Sequence, residues 1–193
     1  IQFFPTGREI TAIDISNRML ARARSKAERY DGRLELRHLD VHDLDYPEAT
    51  FDQVFTSCTF CSVPDPVNGL RALRRVLKPG GLLFASVPFD NWRMSTKGTF
   101  AKPSDANAKE RFYQYRFTRT EWARELVRAG FEVEALEPIH KRQGVLRCLH
   151  HEFFLPYEWL FTRGLSAMLA PFIPSAWVAH MLMGVARKPV PKV

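Results

Sequence analysis

Two aspartates stand where an apolar segment gives way to polar residues, an arrangement suited to binding the sugar of a nucleotide. Asp14 ends the run "ITAID", and Ser16 then provides a good first cap for a helix. Asp40 follows "RLELRHL" in a similar way. A carboxylate can accept hydrogen bonds from two hydroxyl groups at once, which suits a ribose. The alternative for both residues is a plain helix or turn cap, because Asp is common in those positions.

The usual companion of such an acid is a glycine-rich loop on the preceding strand-to-helix turn, about 20 residues upstream. Only thirteen residues precede Asp14, and the one glycine among them is Gly7. The acid therefore stands in the chain without the loop that would normally accompany it.

Cysteine and histidine offer a second kind of chemistry. "CTFC" (58–61) could be a redox pair or half of a zinc site, but zinc needs two further ligands at suitable spacing and no second pair exists. We therefore predict no metal and interpret Cys58 and Cys61 as small residues lining a site. His150 and His151 could act as a base or a metal site, but we interpret them as surface residues. Three cysteines in all suggest a reducing, cytoplasmic compartment.

Strands and helices alternate along the first 136 residues, which predicts an α/β fold with a mostly parallel sheet covered on both faces. Apolar or alternating runs predict strands at 10–15, 33–40, 52–57, 82–87, 131–136 and 181–187. Apolar residues at helical spacing predict helices at 17–29, 66–77 and, from the capping box "TRTE", at 118–130. Between helix and strand, "KPGG" (78–81) predicts a turn with positive φ.

These elements would position the candidate residues together. Asp14, Asp40 and residues 56–62 each fall at the carboxyl end of a predicted strand. The ligand site of an open parallel sheet lies at that edge. This coincidence is the strongest functional signal in the residues themselves.

Three segments, in this order and spacing, resemble the core of the class I S-adenosylmethionine-dependent methyltransferases. They are "TAIDISNRMLARAR", "LDVHDLDYPEATFDQVFTS" and "VPDPVNGLRALRRVLKPGGLLFASVP", with a weaker match at "HMLMGVARKP". The resemblance implies a Rossmann-like fold whose final strand is antiparallel, and it implies S-adenosylmethionine as the cofactor.

The resemblance also implies roles for individual residues. Asp14 matches the acid that binds both ribose hydroxyls, and Ile15 would pack near the adenine. Asp40 matches the acid that accepts from the adenine amino group, while the Val41 N–H would reach a ring nitrogen. Ser57 lies where the methionine moiety and the methyl acceptor would meet.

The chain departs from the family in lacking the first, central strand and its glycine-rich loop. "IQFFPTGRE" matches only the end of the helix after that loop. Unpaired central strands would leave buried amides and carbonyls unsatisfied, at about 1–3 kcal/mol each. We therefore expect a single methyltransferase domain over 1–193, amino-terminally truncated, with about 40–60 further residues before it. We also expect the fragment alone to bind cofactor poorly, and an inactive fragment is one of the alternatives.

An aromatic-rich insertion occupies about residues 140–179, and residues 164–186 carry no Asp, Glu, Lys or Arg. That length would suit a membrane span, but Pro171 and Pro174 interrupt it. The favoured interpretation is a cover over the active site, lined by Phe153, Phe154, Tyr157, Trp159 and Phe161. A helix lying on a membrane surface is the alternative, supported by the net charge of +7.

The function predicted from these observations is methyl transfer to a small, apolar or lipid-like acceptor. Weak candidates for catalysis are Tyr113, Tyr115, Arg116 and His140, which would border the site. A sequence pI of about 9.6 leaves an RNA-binding protein or RNA methyltransferase as an alternative, but no continuous basic stripe is visible. Two further alternatives are a NAD-dependent dehydrogenase, whose ribose Asp14 could also bind, and an inactive methyltransferase remnant.

Overall fold

The structure of the chain, a computed structural model, describes residues 4–91, 115–153, 155–156 and 159–191. Of residues 151–153 only the backbone is described. The chain forms two compact units, residues 1–47 and residues 48–193, each with its own sheet. The prediction of one domain over the whole chain stays a prediction.

The smaller unit is a strand, a helix and a second strand. Its elements are β1 (Glu9–Asp14), α1 (Asn17–Ala27) and β2 (Arg33–His38). The two strands pair in parallel, with Asp14 opposite His38. Ser16 caps α1 by accepting a hydrogen bond from the Met19 N–H at 3.3 Å. The predicted elements are therefore present, although β2 ends two residues before Asp40.

The larger unit continues the alternation and then adds helices. Its elements are β3 (Phe51–Ser57), α2 (Pro66–Val76), β4 (Leu77–Pro88), α3 (Arg119–Arg128), β5 (Glu132–Ile139), α4 (Lys141–Phe153), α5 (Leu160–Leu169), a 3₁₀ turn (Ala170–Phe172), α6 (Ser175–Val178) and β6 (Met181–Arg187).

The sheet of the larger unit has the strand order β3-β4-β6-β5. β3 and β4 run parallel, whereas β6 is antiparallel to both of its neighbours. The prediction of an α/β fold with a final antiparallel strand is therefore confirmed. The prediction that a central strand is missing stays a prediction.

The core of the larger unit lies between α3 and the middle of the sheet. Trp122 and Leu126 of α3 are fully buried. A Cβ atom on Gly184 of β6 would lie 2.6 Å from Trp122 Nε1, so the helix can approach the strand this closely only over a glycine. The predicted capping box begins α3: Thr118 Oγ1 accepts from the Glu121 N–H, and the Glu121 carboxylate accepts from the Thr118 N–H.

Two local predictions need correction. The "KPGG" segment belongs to a long β4, because the chain leaves α2 directly into pairing with Phe51. Gly80 nevertheless has the predicted positive φ, at 77°. Residues 141–153, for which no helix is predicted, form α4, and much of the predicted insertion is helical. The sequence signal there was weak because apolar residues recur without a clear helical period.

His180 is a half-buried histidine whose contact with Arg147 joins α4 to the start of β6. Arg147 Nη1 lies 2.8 Å from His180 Nε2 and 3.0 Å from Nδ1. Burial, with the nearby Arg147 charge second, lowers the pKa of His180 from 6.5 to about 4.

We expect His180 to make the fold acid-sensitive. The unfolded ring takes up a proton near its ordinary pKa of 6.5, whereas the folded ring resists protonation until about pH 4. Stability is therefore complete above about pH 6.5 and falls as the pH drops toward 4, by roughly 1–2 kcal/mol once the exposed part of the ring is discounted. Urea unfolding at several pH values should show this slope in the wild type and lose it in His180→Gln. Equal slopes in both proteins would contradict the expectation.

Candidate functional site

At the carboxyl end of β1, Asp14 is followed by the solvent-exposed apolar side chain of Ile15. Asp14 is half-buried, and its Oδ1 accepts a hydrogen bond from the Ser16 N–H at 2.8 Å. Its other oxygen makes no hydrogen bond to any residue that the structure describes. Ile15 follows with 68% of its side chain exposed, and its carbonyl accepts from His38 Nε2 at 2.8 Å. The strand end thus offers one carboxylate oxygen and one apolar surface to a ligand.

Asp40 lies just beyond the neighbouring strand end of the same sheet. Its Oδ1 accepts from the His42 N–H at 2.9 Å and lies 2.8 Å from His42 Nδ1. The backbone hydrogen bond from His42 lowers the pKa of Asp40, which keeps the carboxylate ionised. Val41 between them is buried. The structure therefore brings Asp14, Ile15, Asp40 and Val41 to one edge of the small unit.

In the larger unit, Ser57 ends β3 directly opposite Ser86 of β4. The buried Ser86 hydroxyl donates to Ser57 Oγ at 3.1 Å, and the Cys58 N–H donates to the Ser86 carbonyl at 2.9 Å. The chain then turns sharply, because Cys58 has a φ of 56°. This strand end is a hydroxyl-lined edge with an exposed thiol beside it.

Two of the candidates for catalysis, Tyr115 and Arg116, make hydrogen bonds that stabilise the larger unit. The Tyr115 hydroxyl donates to Glu121 Oε1 at 3.1 Å, and burial raises the pKa of Tyr115 to about 12. Arg116 is buried and donates to the Phe89 carbonyl at 2.8 Å. Tyr113 lies outside the described residues. A catalytic role for these residues stays a prediction.

His140, the remaining candidate, lies on a basic groove of the larger unit. The groove encloses about 510 Å³ and is lined by His140, Arg142, Gln143, Leu146, Arg163 and Ser166. Arg142 Nη2 donates to the Arg163 carbonyl at 3.4 Å, which links α4 to α5. His140 is exposed and has a φ of 59°, in the left-handed region.

Sequence reasoning missed Asp90, two residues beyond the end of β4. Its Oδ1 is buried and receives no hydrogen bond from the described residues. Burial, with the charge of Glu121 second, raises the pKa of the Asp90 carboxyl. The sequence did contain a signal for Asp90. In "VPFD" an acid follows a predicted strand, which is also the position of Asp14 and Asp40. Within the described chain no cluster of three or more His, Cys, Asp or Glu could hold a metal ion.

The aromatic segment after α4 exposes large apolar side chains. Trp159 is 59% exposed and Phe161 is 62% exposed. The side chain of Phe153, and residues Phe154 and Tyr157, lie outside the described part of the chain. No helix among the described residues combines the length and the apolar character needed to cross a bilayer.

Comparison with known proteins identifies the family pattern in the first half of the chain. A family model described as a methyltransferase domain matches residues 2–85. The matched range contains Asp14, Asp40 and Ser57, so all three predicted strand-end positions lie within it.

Two curated relatives extend this similarity. A phosphatidylethanolamine N-methyltransferase from Cereibacter sphaeroides is 35% identical over 139 residues, covering 71% of this chain and 66% of the relative. A demethylmenaquinone methyltransferase from Bacillus licheniformis is 40% identical over 73 residues, covering 38% of this chain and 31% of the relative. The chain thus spans less than two thirds of the length of either relative.

A solved structure shows the same fold along nearly the whole chain. An S-adenosylmethionine-dependent methyltransferase from Methanosarcina mazei matches with a TM-score of 0.63 at 18% identity. The match covers 96% of this chain and 84% of that structure. At this identity the likeness concerns the fold alone.

Proposed function

Because the chain belongs to the class I S-adenosylmethionine-dependent methyltransferases, we propose that it takes part in methyl transfer to a lipid-like acceptor at an anionic membrane surface. S-adenosylmethionine, the cofactor of this family, supplies a methyl group already activated on a sulfonium. The residues of the protein then have to bind, orient and exclude water.

The edge of the small unit fits the nucleoside part of that cofactor. Asp14 keeps one carboxylate oxygen for the ribose hydroxyls, because the Ser16 N–H uses the other. Ile15 leaves an apolar side chain exposed that an adenine ring could cover. Asp40, held ionised by His42, is suited to accept from the adenine amino group, with the Val41 N–H beside it. Ser57 is the corresponding proposal for the larger unit.

The lipid-like acceptor is inferred from α5, which buries polar side chains and exposes apolar ones. Water-facing helices normally bury their large apolar residues and expose their polar ones. In α5 the hydroxyl residues Thr162 and Ser166 are fully buried, whereas Leu160 is 85% exposed. Phe161 and Met168 are also more than half exposed. A contiguous exposed apolar face of this kind marks a site of interaction with a protein or a membrane.

The same apolar character continues beyond α5. Phe172 is 84% exposed and Trp177 is 53% exposed. We call the six side chains the apolar face; they are Trp159, Leu160, Phe161, Met168, Phe172 and Trp177. A cover closed over a site would bury these rings within the chain. Their exposure favours contact with an outside surface.

The positive charges beside the apolar face favour an anionic bilayer as the surface that it contacts. Lys141 and Arg142 on α4 and Arg163 on α5 are the neighbouring cations, and no acid occurs from 164 to 186. Aromatic rings with a basic rim are typical of proteins that lie at a lipid headgroup region. The names of the two relatives also refer to lipid-like molecules, a phospholipid and a menaquinone precursor.

The test is label transfer from methyl-labelled S-adenosylmethionine by the full-length protein. Acceptors are supplied in anionic vesicles carrying either phosphatidylethanolamine or demethylmenaquinol. We expect label in the organic-extractable fraction with at least one acceptor. Label confined to water-soluble products, or to added RNA, would contradict the proposal.

Substitution of the apolar face should separate docking from folding. Leu160→Glu with Phe172→Glu should weaken sedimentation with anionic vesicles by about 30-fold or more, because two large apolar contacts are lost and negative charge is added. Val127→Glu is the matched control, since Val127 is 60% exposed on α3, outside this face. Equal vesicle binding by all three proteins would show that the apolar face does not dock on lipid.

A further inference from the structure

The turn after β3 brings two thiols together. Cys58 is exposed and adopts a φ of 56°, a left-handed conformation uncommon for residues other than glycine. Cys61 is only 2% exposed, and its S–H donates to the Cys58 carbonyl at 2.9 Å. One thiol therefore faces solvent while its neighbour contacts it from inside.

The surrounding backbone holds this arrangement in place. The Cys58 N–H donates to Ser86 at 2.9 Å, and the Cys61 carbonyl accepts from the Tyr115 N–H at 2.6 Å. In the same turn, the Ser62 N–H donates to the Thr59 carbonyl at 3.2 Å. Residues three apart in a tight turn have Cα atoms within about 7 Å, close to the range that a disulfide spans.

The surroundings of Cys58 make it the more reactive of the two thiols. The hydrogen bond from Cys61, helped by Ser57, lowers the pKa of Cys58 from 9.0 to about 6, although burial acts in the opposite direction. At pH 7 about 90% of such a thiol is the thiolate, compared with a few per cent of an ordinary cysteine. The thiolate is the form that attacks peroxides.

We propose that Cys58 and Cys61 form a reversible thiol pair that hydrogen peroxide oxidises to an intramolecular disulfide. The Cys58 thiolate attacks the peroxide, so that an S–O bond forms, the O–O bond breaks and one water is released after protonation. Cys61 then attacks the Cys58 sulfur, so that an S–S bond forms, the S–O bond breaks and a second water leaves. In sum, two thiols lose two electrons and two protons, and the peroxide is reduced to two waters.

The test is oxidation of the full-length protein with equimolar hydrogen peroxide, followed by intact mass and peptide mapping. We expect the loss of two hydrogens and a 58–61 crosslink that dithiothreitol reverses. The rate should rise with pH around a midpoint near 6, and at pH 7 it should exceed that of Cys148 by about tenfold or more.

Three variants make the proposal falsifiable. Cys61→Ser should stop at a sulfenic acid that dimedone traps, Cys58→Ser should react slowly, and Cys148→Ser should behave as the wild type. Circular dichroism checks that each variant is folded. If Cys61→Ser does not fold, the wild-type crosslink and pH profile decide alone. A crosslink through Cys148, a disulfide between molecules, or a rate that rises only near pH 9 would overturn the proposal.

Discussion

Replacing Asp14 with Ala should weaken the binding of S-adenosylhomocysteine to the full-length protein by about 100-fold, because each hydrogen bond to a carboxylate contributes about 1.5–3 kcal/mol. The carboxylate stands at the end of β1, with its Oδ1 held by the Ser16 N–H. That contact fixes the direction of the group before any ligand arrives. Isothermal titration would measure the affinity directly.

Two further variants separate ligand binding from folding. Asp14→Asn keeps an oxygen for the Ser16 N–H but loses the charge, so we expect an intermediate loss of about tenfold. Glu9→Ala is the matched control, because Glu9 begins the same strand and makes only an exposed pair with Arg33 at 3.5 Å. We expect the control to bind as the wild type does. Unchanged affinity in Asp14→Ala would remove Asp14 from the proposed cofactor site.

Replacing Gly144 with Ala should strongly destabilise the larger unit. A Cβ atom there would lie 1.4 Å from the Val178 carbonyl oxygen and 2.6 Å from its carbon. Both contacts are with backbone, so no side chain can rotate away, and α4 and α6 would have to separate. We expect a loss of about 3 kcal/mol or more in the free energy of unfolding, measured with urea.

Gly164→Ala provides the comparison on the neighbouring helix. A Cβ atom on Gly164 of α5 meets nothing within 4 Å. Because alanine favours a helix over glycine, this change should raise the free energy of unfolding by about 0.5–1 kcal/mol. The same substitution is thus expected to act with opposite signs at two helical positions. Similar effects of both variants would mean that α4 does not pack on residue 178 as described.

Local signals explain which elements could be predicted. The capping box of α3 lies within four residues, and both of its hydrogen bonds occur as expected. The apolar runs of β1 and β4 were also predictable, because the pattern of a buried strand is visible within a few consecutive residues. The strand-end acids followed from the same pattern, and it could have included Asp90. α4 was missed because its apolar residues follow no clear period.

The amino-acid sequence alone specified the alternation of strands and helices, the family, and the acids at the strand ends, since these depend on short-range patterns. Tertiary structure decided what depends on residues meeting in space. The low pKa of Cys58 comes from contact with Cys61. The demand for glycine at position 144 comes from α6, more than thirty residues away. The exposure of Leu160 was set by which face of α5 packs on α4, and the residues of α5 alone do not reveal which of its sides meets water.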